Sequence, residues 1–236
     1  MSLKSHGTLL KESYGFYMQH AKLLVSIAIM PALVSGAALI IASISTTTNP
    51  SSTPLALLGS FASVLLSILA SVALVQTIAN IKDGISVQDA YKRATPLFFS
   101  YFFVAILSAL AVILGFVLFI IPGVIIGVWF CFVHLTVVLE GKRGREALKA
   151  SKSHVAGMWF DIFFRLLVLC AVLLSVIVAI VLVLGVFLGD GVVFTAASDL
   201  ISGAISPFGL VYVYLMYKDV LRIKAKPSEE PVVVLA

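Results

Sequence analysis

Asp199 is an acidic residue inside the last long apolar run of the chain, and Ser202 and Ser206 follow it at helical spacing. No Lys or Arg occurs in the loops expected on its side of the membrane. A carboxylate with hydroxyl groups beside it can bind a proton or a cation, so these three residues predict an ion, proton or substrate site. The alternative is a carboxyl group that is protonated or hydrogen-bonded near the membrane interface.

A second set of polar residues lies near the opposite ends of the apolar runs. Its members are Gln76, Asn80, His134, Glu140, Asp161 and Arg165. A charge at the centre of a bilayer costs at least about 2.5–3.5 kcal/mol, so buried ionisable groups are candidate functional residues. They form one inner polar cluster if the second, fourth and fifth runs adjoin. Two alternatives stay open: Asp161 and Arg165 have the spacing of an intrahelical pair, and His134 can stay neutral and bond its neighbours.

Motifs of soluble enzymes do not occur in the sequence. It contains no phosphate-binding loop, no dinucleotide-binding glycine pattern, no H-E-x-x-H and no G-x-S-x-G, and its four His and two Cys residues do not suggest a zinc site. His134 and Asp199 differ in expected depth by about 10 Å, too far for a catalytic pair. We therefore expect no catalytic residue, no metal and no cofactor.

The elements that position these residues follow from the composition. Of 236 residues, 61% are hydrophobic and 11% charged, against about 45–50% and about 25% in soluble domains. Six apolar runs are long enough to cross a bilayer, which takes about 20 residues, and none alternates like a barrel strand. They cover 23–45, 54–78, 97–120, 122–140, 158–188 and 193–217. The sequence predicts an all-α bundle of six transmembrane helices.

The positive charges indicate how this bundle is oriented. Of the 16 Lys and Arg residues, all except Arg165 lie in four segments. These are the N-terminal segment (Lys4, Lys11, Lys22), the second loop (Lys82, Lys92, Arg93), the fourth loop (Lys142, Arg143, Arg145, Lys149, Lys152) and the tail (Lys218, Arg222, Lys224, Lys226). Basic loops stay in the cytoplasm, so we expect both termini there. The predicted parts are an amphipathic segment 1–22, a transmembrane domain 23–217 and a tail 218–236.

Basic residues beside the spans predict contact with anionic lipid headgroups. The residues expected to make it are Lys92, Arg93, Lys142, Arg143, Arg145, Lys149 and Lys152. They belong to amphipathic stretches, expected to lie in the interface with the apolar side in the acyl boundary. A solvated helical connector is the alternative, and a nucleic-acid partner is not expected because the charges flank apolar spans. Three such stretches, each followed by two spans, suggest a three-fold repeat.

Small residues recur at four-residue spacing in the second span, at Gly59, Ser63, Ser67 and Ser71. Gly123 and Gly127 repeat the spacing in the fourth. Small side chains let helix backbones approach closely, so these stripes predict helix–helix contacts. A polar pore lining is the alternative for the serines.

The range 118–160 resembles the prokaryotic membrane proteins grouped with the membrane domain of glycerophosphoryl diester phosphodiesterase. The shared features are Pro122-Gly123 at a span entrance, Glu140-Gly141 at its end, and an amphipathic segment built on Glu146, Ala147, Leu148, Lys149 and Ser151. The end of the sixth span is similar too, although Asp219-Val220-Leu221-Arg222 carries one inserted residue. The resemblance implies a multi-pass protein of a prokaryotic cytoplasmic membrane. The catalytic barrel of some relatives has no counterpart here.

Two functions follow as hypotheses. The first is a non-catalytic, lipid-associated or membrane-organising scaffold that engages anionic lipids, another membrane protein or a second copy of itself. The second is a small transporter or channel that uses Asp199 and the inner polar cluster.

Overall fold

A computed structural model describes residues 4–48, 53–81, 84–189 and 191–225. These ranges form nine α-helices and no strand. The helices are α1 (His6–Thr48), α2 (Thr53–Ala79), α3 (Val87–Ala94), α4 (Phe98–Leu118), α5 (Ile120–Trp129), α6 (Val133–Leu139), α7 (Gly144–Val155), α8 (Trp159–Leu188) and α9 (Val192–Ala225). The all-α prediction is confirmed.

Six segments of the described chain are long and apolar enough to cross a membrane. They are His6–Ile40, Leu57–Ala79, Val87–Leu118, Ile120–Leu139, Trp159–Leu188 and Val192–Ala225. The predicted number of spans is confirmed. The third segment joins α3 to α4 through a 3-10 turn, Thr95–Leu97, and the fourth is divided into α5 and α6.

The first and last helices form the axis of the bundle. α1 packs along α9 on one side and α2 on the other, while α8 lies against α9. The pairing of α1 and α9 is antiparallel, because Lys4 contacts Asp219, Tyr17 contacts Ala204 and Ser35 contacts Asp199. We call the end that carries Lys4, α3, α7 and the last turns of α9 the basic end. The opposite end, with the α4–α5 and α8–α9 turns, is the bare end.

The packed core lies towards the basic end. The largest fully buried side chains include Leu9, Leu24, Phe132, Tyr212 and Tyr217. Towards the bare end, large apolar side chains point outwards. Hydrocarbon would solvate these side chains favourably, but water would not. Examples are Leu57, Phe61, Val117, Phe119 and Phe187. In α8, only 6% of the most apolar stretch is buried.

The amphipathic segment is continuous with the first span over the residues that the structure describes. α1 continues without a break from His6 to Thr48, although Pro31 lies inside it. The sequence predicts an apolar stripe at Leu10, Tyr14, Tyr17 and Ala21, but the buried face is a different one: Leu9 and Ser13 are fully buried, whereas Tyr14 is 59% exposed. Packing against α9 determines which face of α1 is buried. The positions of the large side chains in the sequence do not indicate this face. In the first of the three suggested repeats, the amphipathic stretch is therefore continuous with its span.

The turn between the third and fourth spans lies before the Pro122-Gly123 pair. α4 ends at Leu118, Phe119 alone is extended, and Pro122 and Gly123 already belong to the first turns of α5. A proline is tolerated there because the first helical N–H groups have no acceptor in the helix. The turn is tight: a Cβ on Gly115 would lie 2.9 Å from the Cα of Gly123.

The amphipathic helices α3 and α7 pack against the bundle. α3 opens on Ser86, whose hydroxyl accepts from the N–H of Asp89 at 3.2 Å, as the predicted capping pair requires. It buries Ala90 and Ala94, and α7 buries Ala147, Ala150, Ser151 and Val155. These faces contact protein.

Candidate functional site

A polar cleft of about 410 Å³ lies between α1, α2 and α9. Its lining includes the three residues predicted as an ion or substrate site, Asp199, Ser202 and Ser206. Part of the serine stripe of α2 faces it as well, at Ser63, Ser67 and Ser71. The structure thus brings the stripe and the carboxylate together on one surface.

Ser35 holds the carboxylate of Asp199. Its hydroxyl donates to Asp199 Oδ2 at 3.0 Å and also lies 3.0 Å from the carbonyl of Ala32. Sequence reasoning missed Ser35. Counted from the same side of the membrane, Ser35 and Asp199 lie at similar depths, and this match could have identified Ser35 as a partner.

Four serine hydroxyls of the cleft donate to carbonyls of their own helices. Ser63, Ser67 and Ser71 donate at 2.8 Å to the carbonyls of Ser60, Ser63 and Ser67. Ser206 donates to the carbonyl of Gly203 at 3.0 Å. A hydroxyl whose proton is used in this way presents lone pairs to its surroundings. These serines therefore act as acceptors towards anything that enters the cleft.

Asp199 is the acidic group of the cleft. Among its described lining residues, Asp199 is the one titratable group, and none is Lys or Arg. Four acceptor hydroxyls and one carboxylate suit a ligand that brings positive charge or hydrogen-bond donors.

The serine stripe serves packing at one point only. At Gly59, a Cβ would lie 2.5 Å from the Cβ of Ala38, so a glycine is needed for the contact of α1 with α2. Gly127 is different, since a Cβ added there would meet nothing within 4 Å. The predicted packing role of Gly127 is therefore wrong within the described molecule.

Two prolines loosen the helices that form the cleft. Pro31 of α1 lines it, and Pro207 of α9 follows Ser206. Each proline removes the hydrogen bond to the carbonyl four residues earlier. Side-chain hydroxyls replace these bonds: Tyr91 of α3 donates to the carbonyl of Ile27 at 2.9 Å, and Ser206 donates to that of Gly203.

The inner polar cluster is not one set of contacts. Arg165 is buried with Asp219 rather than paired with Asp161, and its Nη1 lies 3.6 Å from Asp219 Oδ2. Its other amino group donates to the carbonyl of Lys4, whose N–H donates to the same carboxylate at 2.8 Å. Asp161 is exposed. The proposed i, i+4 pair is therefore wrong, because a partner on α9 replaces it.

Glu140 forms a second network. Its carboxylate accepts from Lys142 at 2.8 Å and from Tyr217, and it lies 2.7 Å from His154 Nε2. Burial raises the pKa of the Glu140 carboxyl, but the hydrogen bonds from Lys142, Tyr217 and His154 outweigh it and hold that pKa below its ordinary value. This network ties the end of α6 to α7 and α9.

The remaining members have other partners. The ring of His134 stacks on Tyr101 with centroids 4.6 Å apart, and its Nδ1 is buried without a hydrogen-bond partner among the described residues. The side-chain amide of Asn80 donates to the carbonyl of Gln76 at 3.0 Å. The six residues of the inner polar cluster thus do not form one connected set of contacts.

The predicted headgroup-contact residues are mostly on the surface. The exposed ones are Lys92, Arg93, Arg143, Arg145, Lys149 and Lys152. Lys142 is half-buried beside Glu140, and the ammonium of Lys152 lies 3.9 Å from the centre of the Trp129 ring. Their exposure leaves these charges available to anionic groups.

No group of three or more His, Cys, Asp or Glu side chains that could hold a metal ion occurs in the described ranges. Comparison with protein-family models, with curated proteins and with solved structures found no match to this chain.

Proposed function

We propose that the protein moves a proton or a small cation through the membrane and binds it in the Asp199 cleft. The observation that carries this proposal is the pairing of Asp199 with Ser35 inside a serine-lined cleft whose described lining has no basic residue. A carboxylate that has no basic residue beside it suits a ligand that carries positive charge.

The chemistry of the lining favours a hard cation. Carboxylate and hydroxyl oxygens are the ligands that such cations prefer, and four serine oxygens of the cleft are held as acceptors. Pro31 and Pro207 supply flexible points in the two helices beside the site. Prolines inside the helices beside a binding site are compatible with a transporter, in which one half moves against the other.

The test is flux through the purified full-length protein in proteoliposomes. Proton entry is followed with an enclosed pH-sensitive dye, and sodium entry with a radioactive tracer. Asp199→Asn removes charge-assisted contacts worth about 1.5–3 kcal/mol each, so the apparent affinity is expected to fall about 10- to 100-fold. Ser35→Ala is expected to give a smaller loss. Asp161→Asn is the matched control, because it removes an exposed carboxylate near the basic end.

The outcome that contradicts the proposal is specific. Flux of both ions that is absent from the wild-type protein, or that Asp199→Asn leaves unchanged, excludes ion transport at this cleft.

A lipid-associated or membrane-organising scaffold is the second candidate, and the exposed basic residues of α3 and α7 favour it. Native mass spectrometry of the protein released from mixed vesicles measures which lipids stay bound. Replacement of Lys92, Arg93, Arg143, Arg145 and Lys149 by Gln should reduce the enrichment of anionic over neutral lipid. Equal retention of both lipids by the wild-type protein would remove this candidate.

We also propose that the basic end faces the cytoplasm of a prokaryotic cell, and that the chain belongs to the family that 118–160 resembles. The described Lys and Arg residues on α1, α3, α7 and α9 support the orientation. In a variant without Cys131 and Cys170, Gly191→Cys should react with an impermeant maleimide on intact cells, and Ser5→Cys should not. The reverse pattern would invert the topology.

A further inference from the structure

A second cavity differs from the Asp199 cleft in its chemistry. It is a groove of about 470 Å³ between α5 and the start of α8, and its exposed lining is entirely apolar. α5 contributes Ile121, Val124, Ile125 and Trp129, and α8 contributes Trp159 and Phe160. Its size and lining fit a hydrocarbon chain.

A fixed positive charge stands beside Trp129 in this groove. The ammonium of Lys152 lies 3.9 Å from the centre of the Trp129 ring, over its face. A cation in this position is attracted by the ring. The hydroxyl of Ser151 donates to the carbonyl of Trp129 at 2.7 Å, which fixes α7 at this place. Lys152 is thereby held beside the groove while its side chain stays exposed.

We propose that the groove binds an anionic phospholipid, with one acyl chain between α5 and α8 and the phosphate at Lys152. Apolar walls alone would accept any lipid; the charge of Lys152 makes the site selective for an anionic headgroup. The proposal is independent of the Asp199 cleft, which lies between other helices.

The chain itself supplies the probe. It contains two Trp residues, Trp129 and Trp159, and both line the groove. Tryptophan fluorescence of the full-length protein therefore reports on this groove. The protein is reconstituted in phosphatidylcholine vesicles that contain an equal fraction of brominated phosphatidylglycerol or brominated phosphatidylcholine, because bromine on an acyl chain quenches nearby indole fluorescence.

We expect the brominated anionic lipid to quench at least about twofold more strongly than the neutral one, a difference that one nearby basic residue, worth about 1 kcal/mol, can produce. Quenching is expressed relative to the same variant with unbrominated lipid, since loss of Lys152 alters the Trp129 signal itself. Lys152→Ala should abolish the preference, and Lys152→Arg should keep it. Lys92→Ala is the matched control, because it removes an exposed charge on α3.

Two results would overturn the proposal. One is equal quenching by both lipids in the wild-type protein. The other is a preference for the anionic lipid that persists in Lys152→Ala, since the charge would then act from elsewhere. Trp129→Phe and Trp159→Phe variants, each with one remaining indole, must both show the preference if the lipid occupies the whole groove.

Discussion

Arg165 and Asp219 form the most deeply buried pair of opposite charges among the described contacts, with side chains 4% and 2% exposed. Each charge is compensated by more than its partner: Lys4 contributes its carbonyl to Arg165 and its N–H to Asp219, and Arg222 lies 2.7 Å from the same carboxylate. The pair links α8, α9 and the start of α1. Its removal therefore tests whether the three elements depend on one another.

Loss of one partner should be costly. Asp219→Ala leaves the buried guanidinium of Arg165 uncompensated, so we expect the free energy of unfolding to fall by about 3–5 kcal/mol. The additional replacement Arg165→Leu should recover part of the loss, because no unpaired charge then remains. Urea unfolding in detergent measures both. Asp161→Ala, at an exposed position, should stay within about 0.5 kcal/mol of the wild type.

Glu140 gives a pH dependence of known sign. Its carboxyl has a lowered pKa in the folded protein, so it contributes stability above its ordinary pKa of about 4.3, and this is lost as the pH falls through the folded value. Glu140→Gln should lower the free energy of unfolding at pH 7 by about 1–3 kcal/mol.

The difference between Glu140→Gln and the wild type should shrink as the pH is lowered below about 4. The control is Glu146→Gln on α7, whose carboxylate is exposed. A difference that stays constant with pH would show that ionisation of Glu140 contributes nothing.

Some of these residues were predictable and others were not. Asp199, Ser202 and Ser206 occupy neighbouring turns of one helix, so spacing alone placed them together. Ser35 and Asp219 contact residues 164 and 215 positions away in sequence. Local periodicity does not encode such partners, and for Arg165 it suggested the wrong one, Asp161.

At the scale of elements, the prolines of α1 and α9 connect the cleft to other helices. Pro31 leaves the carbonyl of Ile27 without its helical N–H, and the hydroxyl of Tyr91 in α3 donates to this carbonyl. Near Pro207, the carbonyl of Ala204 accepts from the hydroxyl of Tyr17 in α1 at 2.8 Å. In a membrane, such carbonyls must find a partner in the protein. The spans were predictable because apolar length determines insertion, but the partners of these carbonyls depend on which helices pack together.

The hydroxyl of Tyr91 should matter only while Pro31 is present. Tyr91→Phe leaves the carbonyl of Ile27 unsatisfied, and we expect a loss of about 1–3 kcal/mol in the free energy of unfolding. In a Pro31→Ala background, the restored N–H takes this carbonyl, so the same substitution should cost less. Tyr14→Phe serves as a control at a site 59% exposed. If Tyr91→Phe lowers the free energy of unfolding equally in both backgrounds, the Tyr91 hydroxyl does not compensate for Pro31.

The whole molecule has a packed half and a half that depends on lipid. Buried side chains gather towards the basic end, and apolar side chains towards the bare end face outwards. Composition predicted a membrane protein but not this asymmetry, because lipid-facing and buried positions have the same apolar character.

A matched pair of phenylalanines tests the asymmetry. Phe132 is fully buried and Phe187 is 80% exposed. Phe132→Ala should lower the free energy of unfolding by about 3–5 kcal/mol, because it leaves a cavity. Phe187→Ala removes contacts with lipid that other chains can replace, and should cost far less. Similar costs for both, measured in the same bilayer or detergent, would contradict the division.

The contact of α1 with α9 sets a time for assembly during synthesis. Tyr17 and Ala204 are 187 residues apart. At roughly 5–20 residues per second, a ribosome needs on the order of 10–40 s to travel from one to the other. During that interval the first helix waits in the bilayer without its main neighbour, and Ser35 has no carboxylate to contact. The Asp199 cleft is therefore complete only when the final helix has been made.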